Sequence, residues 1–169
     1  MQRVFWISFC TAAAVYLIMV LWSLPRITEA AQGLTPFDMR PLGYSAQDAR
    51  AFLGALSEEG RQFYVGVQQK LDILYPALLG LTLILGFQIL FARPWSSVLG
   101  VLALLGAAAD YLENYLVAVM LTTPVTAVED NLVGLASFWT LSKSLSATVC
   151  FMALIYGFIR LLVRRRKGG

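Results

Sequence analysis

Histidine is absent from this 169-residue chain, and only two cysteines occur in it. The first absence removes imidazole general bases, haem ligation by histidine and most transition-metal sites. Cys10 and Cys150 both lie inside apolar runs without C-x-x-C spacing. Neither a thiol–disulfide exchange motif nor a zinc site is implied, and packing is their expected role. Charge is scarce too: 14% of the residues are Asp, Glu, Lys or Arg, against 59% hydrophobic. That balance is too apolar for a soluble globule and points to a membrane protein. No internal repeat, low-complexity segment, nucleophile elbow or phosphate-binding loop is present. Any acid–base chemistry therefore falls to carboxylates, lysine or tyrosine.

What the chain has is four long apolar runs, at residues 4–24, 71–91, 98–121 and 132–163. A helix needs roughly 20 apolar residues to cross a hydrocarbon layer of about 30 Å, so each run is long enough. The period-2 alternation of a membrane barrel is missing, and barrels are the only other structure that satisfies backbone groups in lipid. The expected fold is all-α: a single membrane domain, 1–169, built as a four-helix transmembrane bundle. Met1-Gln2-Arg3 has the basic character of a signal-peptide start. The run that follows exceeds the roughly 15 apolar residues of a signal core, and no small-x-small pair closes it, so it is expected to stay as an anchor.

Charge sets the expected orientation. Arg3, Arg93, Arg160, Arg164, Arg165, Arg166 and Lys167 fall at one set of run ends, without an acid among them. Arg26, Arg40, Arg50, Arg61 and Lys70 fall at the other, mixed with Glu29, Asp38, Asp48, Glu58, Glu59, Glu129 and Asp130. By the positive-inside rule both termini and the Arg93-Pro94-Trp95 turn are cytoplasmic, and the long first loop, about 25–69, faces out. The expected location is a bacterial cytoplasmic membrane. The basic tail directly after a spanning helix marks topology and contact with anionic lipid; nucleic acid is not expected as a partner.

The outer loop opens irregularly, because Pro25, Gly33, Pro36, Pro41 and Gly43 are spaced to stop any regular element. Ser45-Ala46-Gln47-Asp48 is then a capping-box-like start, with Phe52, Leu53 and Leu56 at helical spacing, and predicts a short amphipathic helix on the membrane surface. Ser57-Glu58-Glu59 predicts a second start that runs into the second span, with Phe63, Tyr64 and Val67 toward the membrane and Gly60 and Pro76 as its weak points. Tyr64 and Tyr75 fit an interfacial aromatic belt, as do Trp6, Trp22 and Trp95. The turns at 92–97 and 122–131 are short, so spans two, three and four are antiparallel neighbours in sequence order.

Four ionisable residues, Asp72, Asp110, Glu113 and Lys143, fall within the spans, with Asn114 beside them. A charge facing lipid near the bilayer centre costs from about 2.5 to more than 10 kcal/mol, so these side chains are expected to face the interior and each other. Spacings of three and four put Asp110, Glu113 and Asn114 on one helical face, flanked by Ala103, Gly106 and Ala107. Such small residues admit a close neighbouring helix. At about 1.5 Å per residue, Glu113 lies about 12 Å deep, and Asp110 and Lys143 about 16 Å, which allows a lysine–carboxylate pair. Asp72 lies shallower. Pro76 cannot donate to the carbonyl of Asp72, which is left free for a side chain, water or ligand.

Two readings of this cluster stand side by side. In one, Lys143 with Asp110 or Glu113 pins helix register and Asn114 completes the hydrogen bonds. In the other, Asp72, Asp110, Glu113, Asn114 and Lys143, with Tyr111 and Tyr75, line a pocket for a ligand, proton or ion. No metal, cofactor or catalytic residue is assigned. Asp72-x-x-x-Pro76 with Asp110-x-x-Glu113-Asn114 resembles uncharacterised small bacterial four-span membrane proteins, a resemblance that implies no activity. The architecture also resembles the emopamil-binding and sigma-2 receptor family, four-span proteins with a sizeable first loop and buried acids that hold cationic amphiphiles. The sterol isomerases there use histidine, so its absence argues against that activity. The expected function is small-molecule or lipid handling, with the bilayer and an amphiphile as partners. The alternatives are a non-catalytic subunit that binds a membrane-protein partner, a proton-coupled transporter acting as a homodimer, and a lipid-modifying enzyme using carboxylates as acid and base.

Overall fold

Five helices carry nearly all the regular structure in the computed structural model, which describes residues 1–167, with side chains through Arg164. The side chains of Arg165, Arg166 and Lys167 in the basic tail lie outside that description, as do residues 168 and 169. Helix α1 covers Gln2–Ala30, α2 Ala46–Ala55, α3 Glu58–Leu90, α4 Trp95–Thr122 and α5 Asp130–Lys167. No strand occurs among the described residues. Four of the helices, α1, α3, α4 and α5, are long and apolar enough to cross a membrane. Much of their outer surface is apolar: Leu21, Leu145 and Met152 are each about two-thirds exposed or more.

Helix α1 overruns the expected end at residue 24, and Pro25 does not stop it. The turn just before the proline, Met19–Ser23, is widened to π geometry, and the Leu24 N–H reaches the Met19 carbonyl. A π turn loosens the ladder where the proline ring would crowd the preceding turn, so the helix resumes as Leu24–Ala30 with Pro25 in its first turn. Helix α3 begins well before residue 71. Ser57 caps it by accepting from the Gly60 N–H at 3.1 Å, a second π turn occupies Tyr64–Gln68, and the helix continues through Pro76. Gly60 is buried against Ala30, where an added Cβ would collide with the Ala30 methyl. That close approach joins the last turn of α1 to the first of α3, and the Ser57 N–H donates to the Ala30 carbonyl at 2.9 Å.

Helix α2 starts at the expected capping box: the Asp48 N–H donates to Ser45 Oγ, and the Ser45 N–H to Asp48 Oδ2, both at 3.1 Å. Its apolar face is turned into the protein. Phe52 and Leu53 are fully buried among Phe37, Tyr64, Val117, Met120 and Leu121, closing one end of the molecule. Tyr64 is therefore an interior residue and not part of an outer aromatic belt. Phe37 sits on a single 3₁₀ turn, Phe37–Met39, and packs between Tyr44 and Phe52, tilted to the first and edge-on to the second, at centroid distances of 4.8 and 4.9 Å. The loop is tied down to α5, where Ser137 Oγ accepts the Tyr44 N–H at 2.9 Å. Gly43 is required there, because its φ is +80° and a Cβ would fall 2.5 Å from Ser137 Oγ.

The long helices pack in the order α1 on α3, α3 on α4 and α4 on α5, with a lesser contact between α3 and α5. Helices α1 and α5 barely meet. A seam is left between them, roofed by the loop that carries Phe37.

Candidate functional site

Lys143 on α5 faces Asp110 and Glu113 on α4. Its Nζ lies 2.9 Å from Asp110 Oδ1 and 2.6 Å from Glu113 Oε2. Glu113 is fully buried, and its other oxygen accepts from Thr140 Oγ1 at 2.8 Å. The shared depth expected from helical rise corresponds to this pairing, since residues three apart on α4 reach one residue on the adjacent helix. Asn114 sits one turn beyond Asp110 and is also buried. Its amide donates to Asp110 Oδ1 at 3.3 Å and to the Asp72 carbonyl at 3.1 Å. That is the carbonyl left free by Pro76, now satisfied from another helix. Tyr111 acts similarly nearby, donating to the Ile73 carbonyl at 2.8 Å. It joins helices at a partly exposed position and does not line the cavity described below, so its place is outside the cluster.

Asp72 is 4% exposed. Its Oδ1 accepts from Gln68 Nε2 at 2.8 Å, and Gln68 Oε1 accepts from Ser23 Oγ at 2.5 Å. Ser23 and Gln68 each close a π turn, so the two irregular turns of α1 and α3 meet through one hydrogen bond. The second oxygen of Asp72, Oδ2, is buried with no hydrogen-bond partner. Leaving one oxygen of a carboxylate dry is costly, since a buried polar atom without a partner loses about 1–3 kcal/mol and a charged one more.

A fourth carboxylate comes from the loop. Asp38, next to the anchored Phe37, accepts from the Tyr64 hydroxyl. It borders the same cavity as Asp72, Asp110 and Lys143. Burial pushes the Asp38 carboxyl above its ordinary value; the positive charge of Lys143 and the Tyr64 hydrogen bond oppose this, and Asp110 reinforces it. Sequence reasoning missed Asp38 because a loop has no periodicity to say which way it folds. The nearest signal was Phe37, a large apolar residue between two prolines that had to be buried somewhere. Gln68 and Ser23 were missed for a related reason: regular helical phase does not extend through a π turn.

The cavity has two lobes. The upper, about 280 Å³, contains Asp38, Asp72, Asp110 and Lys143 beneath Met39. The lower, about 330 Å³, runs from Asp110 and Lys143 past Pro76 and Gly80 to Leu83, Ala103 and Phe151. Tyr16, Asp38, Tyr75, Asp110 and Lys143 border both lobes. Tyr16 and Tyr75 stack on each other at 5.8 Å, on the α1 side of the seam. Trp139, which stood near Lys143 in sequence, faces a different groove between α4 and α5. The cluster holds four carboxylates against one ammonium, a formal excess of three negative charges if all are ionised. Among the described residues no group of three or more His, Cys, Asp or Glu is disposed to hold a metal ion.

The fold and cavity together define a class: an all-helical protein, with four helices long and apolar enough to cross a membrane, and acidic groups around a partly open cavity. No protein-family model, curated protein or solved structure matches this chain.

Proposed function

We propose that this chain is a multi-pass membrane protein that binds an amphiphilic small molecule or lipid through a protonated amine. In this reading the four long helices form a bundle across a bacterial cytoplasmic membrane. Both termini and the Arg93 turn are cytoplasmic, as the acid-free basic ends suggest. The loop bearing Asp38 then roofs the cavity from the outer side.

The observation that carries the reading is Asp72 Oδ2, buried and unpartnered at the edge of a cavity that also holds Asp38. Register pinning accounts for Lys143, Asp110, Glu113 and Asn114, all of which are paired. It gives no reason for Asp72 and Asp38 to face the same space, because Lys143 is already engaged by Asp110 and Glu113. An ammonium offers up to three N–H donors, which suits two carboxylates, and the faces of Tyr16 and Tyr75 suit its positive charge.

The test is native mass spectrometry of protein extracted gently from its own membrane, together with dodecylammonium titration in neutral phosphatidylcholine nanodiscs. Asp72→Asn keeps the oxygen that accepts from Gln68 and removes the charge. It is expected to lose the copurifying mass and to weaken dodecylammonium binding at least ten-fold, as loss of a charged hydrogen bond worth about 1.5–3 kcal/mol requires. Equal binding by wild type and variant would refute the reading.

A further inference from the structure

The lower lobe is a built extension of the charged one, and its shape limits what the amine can be attached to. Resting on the reading above, we infer that the ligand carries one unbranched chain, and that the lower lobe is a slot for that chain of about ten carbons. The ammonium sits between Asp38 and Asp72, and the chain passes the Tyr16–Tyr75 pair and runs along α3, α4 and α5.

Three helices mark the slot's length independently. Its lining runs from Tyr75 to Leu83 on α3, from Asp110 to Ala103 on α4 and from Lys143 to Phe151 on α5. At 1.5 Å per residue these are parallel tracks of about 11–12 Å. A saturated chain advances about 1.3 Å per carbon, from C–C bonds of about 1.5 Å, so roughly nine or ten carbons fill it. Width follows from the side chains. Gly80, Ala103, Gly106, Ala107 and Ala147 line the lobe, and an added Cβ on Gly80 would already sit 3.6 Å from the Ala107 methyl. A volume of about 330 Å³ is at the small end for ligand pockets, which suits one narrow chain and excludes two. Two further observations set the direction. Above the charges the buried side chains of Phe37, Phe52, Leu53 and Tyr64 fill the interior, so the core leaves no room for a chain there. Below them the backbones of α1 and α5 stay apart.

The experiment measures binding of n-alkylammonium ions, from butyl to hexadecyl, to the full chain in phosphatidylcholine nanodiscs, with affinity expressed per mole fraction of amine in the lipid. With affinity expressed this way, partitioning into lipid cancels and the length dependence reports fit. Affinity is expected to peak near decyl and to fall at least five-fold by hexadecyl. Ala107→Leu, which projects into the slot, is expected to move the optimum to six carbons or fewer. Gly80→Ala, a milder change that only narrows it, is expected to weaken decylammonium several-fold. Butylammonium, which ends before Gly80, is expected to bind all three proteins alike, showing that they are folded. A length profile that is flat, or unmoved by both substitutions while Asp72→Asn still abolishes binding, overturns the slot and leaves the amine site standing. Failure of every amine, short and long, overturns both.

Discussion

Replacing Lys143 by methionine keeps most of the length of the side chain and removes the one positive charge in the buried cluster. Glu113 is fully buried, and Asp110 and Lys143 have side-chain exposures of 17% and 19%. Solvent is therefore a poor substitute for the missing ammonium. Breaking a buried ion pair from one side costs about 3–5 kcal/mol, because the partner is left as an uncompensated charge. Here two partners are stranded, at 2.6 and 2.9 Å from the same nitrogen, so the upper part of that range is expected. The neutral combination Lys143→Met, Glu113→Gln, Asp110→Asn removes all three charges together, and it is expected to recover more than half of the loss. The assay is reversible unfolding of the full chain by SDS titration in mixed micelles, followed by far-ultraviolet circular dichroism, for each variant and the combination. A Lys143→Met stability within about 0.5 kcal/mol of wild type, the level of an ordinary surface substitution, would show that the cluster is wet and refute the electrostatic reasoning.

Asn114→Ala removes both amide hydrogen bonds, to Asp110 and to the Asp72 carbonyl; SDS titration is expected to show a loss of about 1–3 kcal/mol. For Asp38, a carboxyl held above the ordinary 3.8 means that the native state binds its proton more tightly than the unfolded chain does. Its contribution to stability is whole below that value and is lost as pH rises from there through the native one. The Tyr64 hydroxyl and the charges of Lys143 and Asp110 act on it, and Asp72 borders the same cavity. The difference between wild-type and Asp38→Asn melting temperatures should therefore move against wild type as pH rises from 4, and a difference that stays level with pH would contradict a carboxyl held above its ordinary value. Gly43→Ala is expected to cost more than about 1 kcal/mol, because φ is positive there and Ser137 stands in the way. Hydrogen exchange should show faster opening of residues 37–44.

The four long helices were legible because apolar length alone specifies them, and the pairing of Lys143 with Asp110 and Glu113 was legible because helical rise converts residue number into depth. Pro25 misled for a physical reason: a proline stops a regular α-helix, but a π turn immediately before it supplies the missing room. The amphipathic pattern of Phe52 and Leu53 was visible, yet amphipathicity says only that one face is covered and not by what. Phe37 and Tyr64 cover it, and neither lies at a position that the periodicity of α2 could indicate. Asp38 was the largest omission, since its place depends on a loop path held by Gly43, Tyr44 and Ser137 across about ninety residues of chain.

The two π turns carry a further consequence. Each inserts one residue beyond the regular count, and one residue of an α-helix corresponds to about 100° of rotation. Deleting a residue from Met19–Ser23 would tidy the helix and keep every apolar position apolar. It would also swing the Tyr16 side of α1 away from Tyr75 while Ser23 stayed on Gln68, or the reverse. Helix α1 thus works as two segments locked at a set phase offset, the C-terminal one meeting Gln68 through Ser23 and the N-terminal one meeting Tyr75 through Tyr16. A chain of the same composition with uninterrupted helices could satisfy only one of those two contacts at a time.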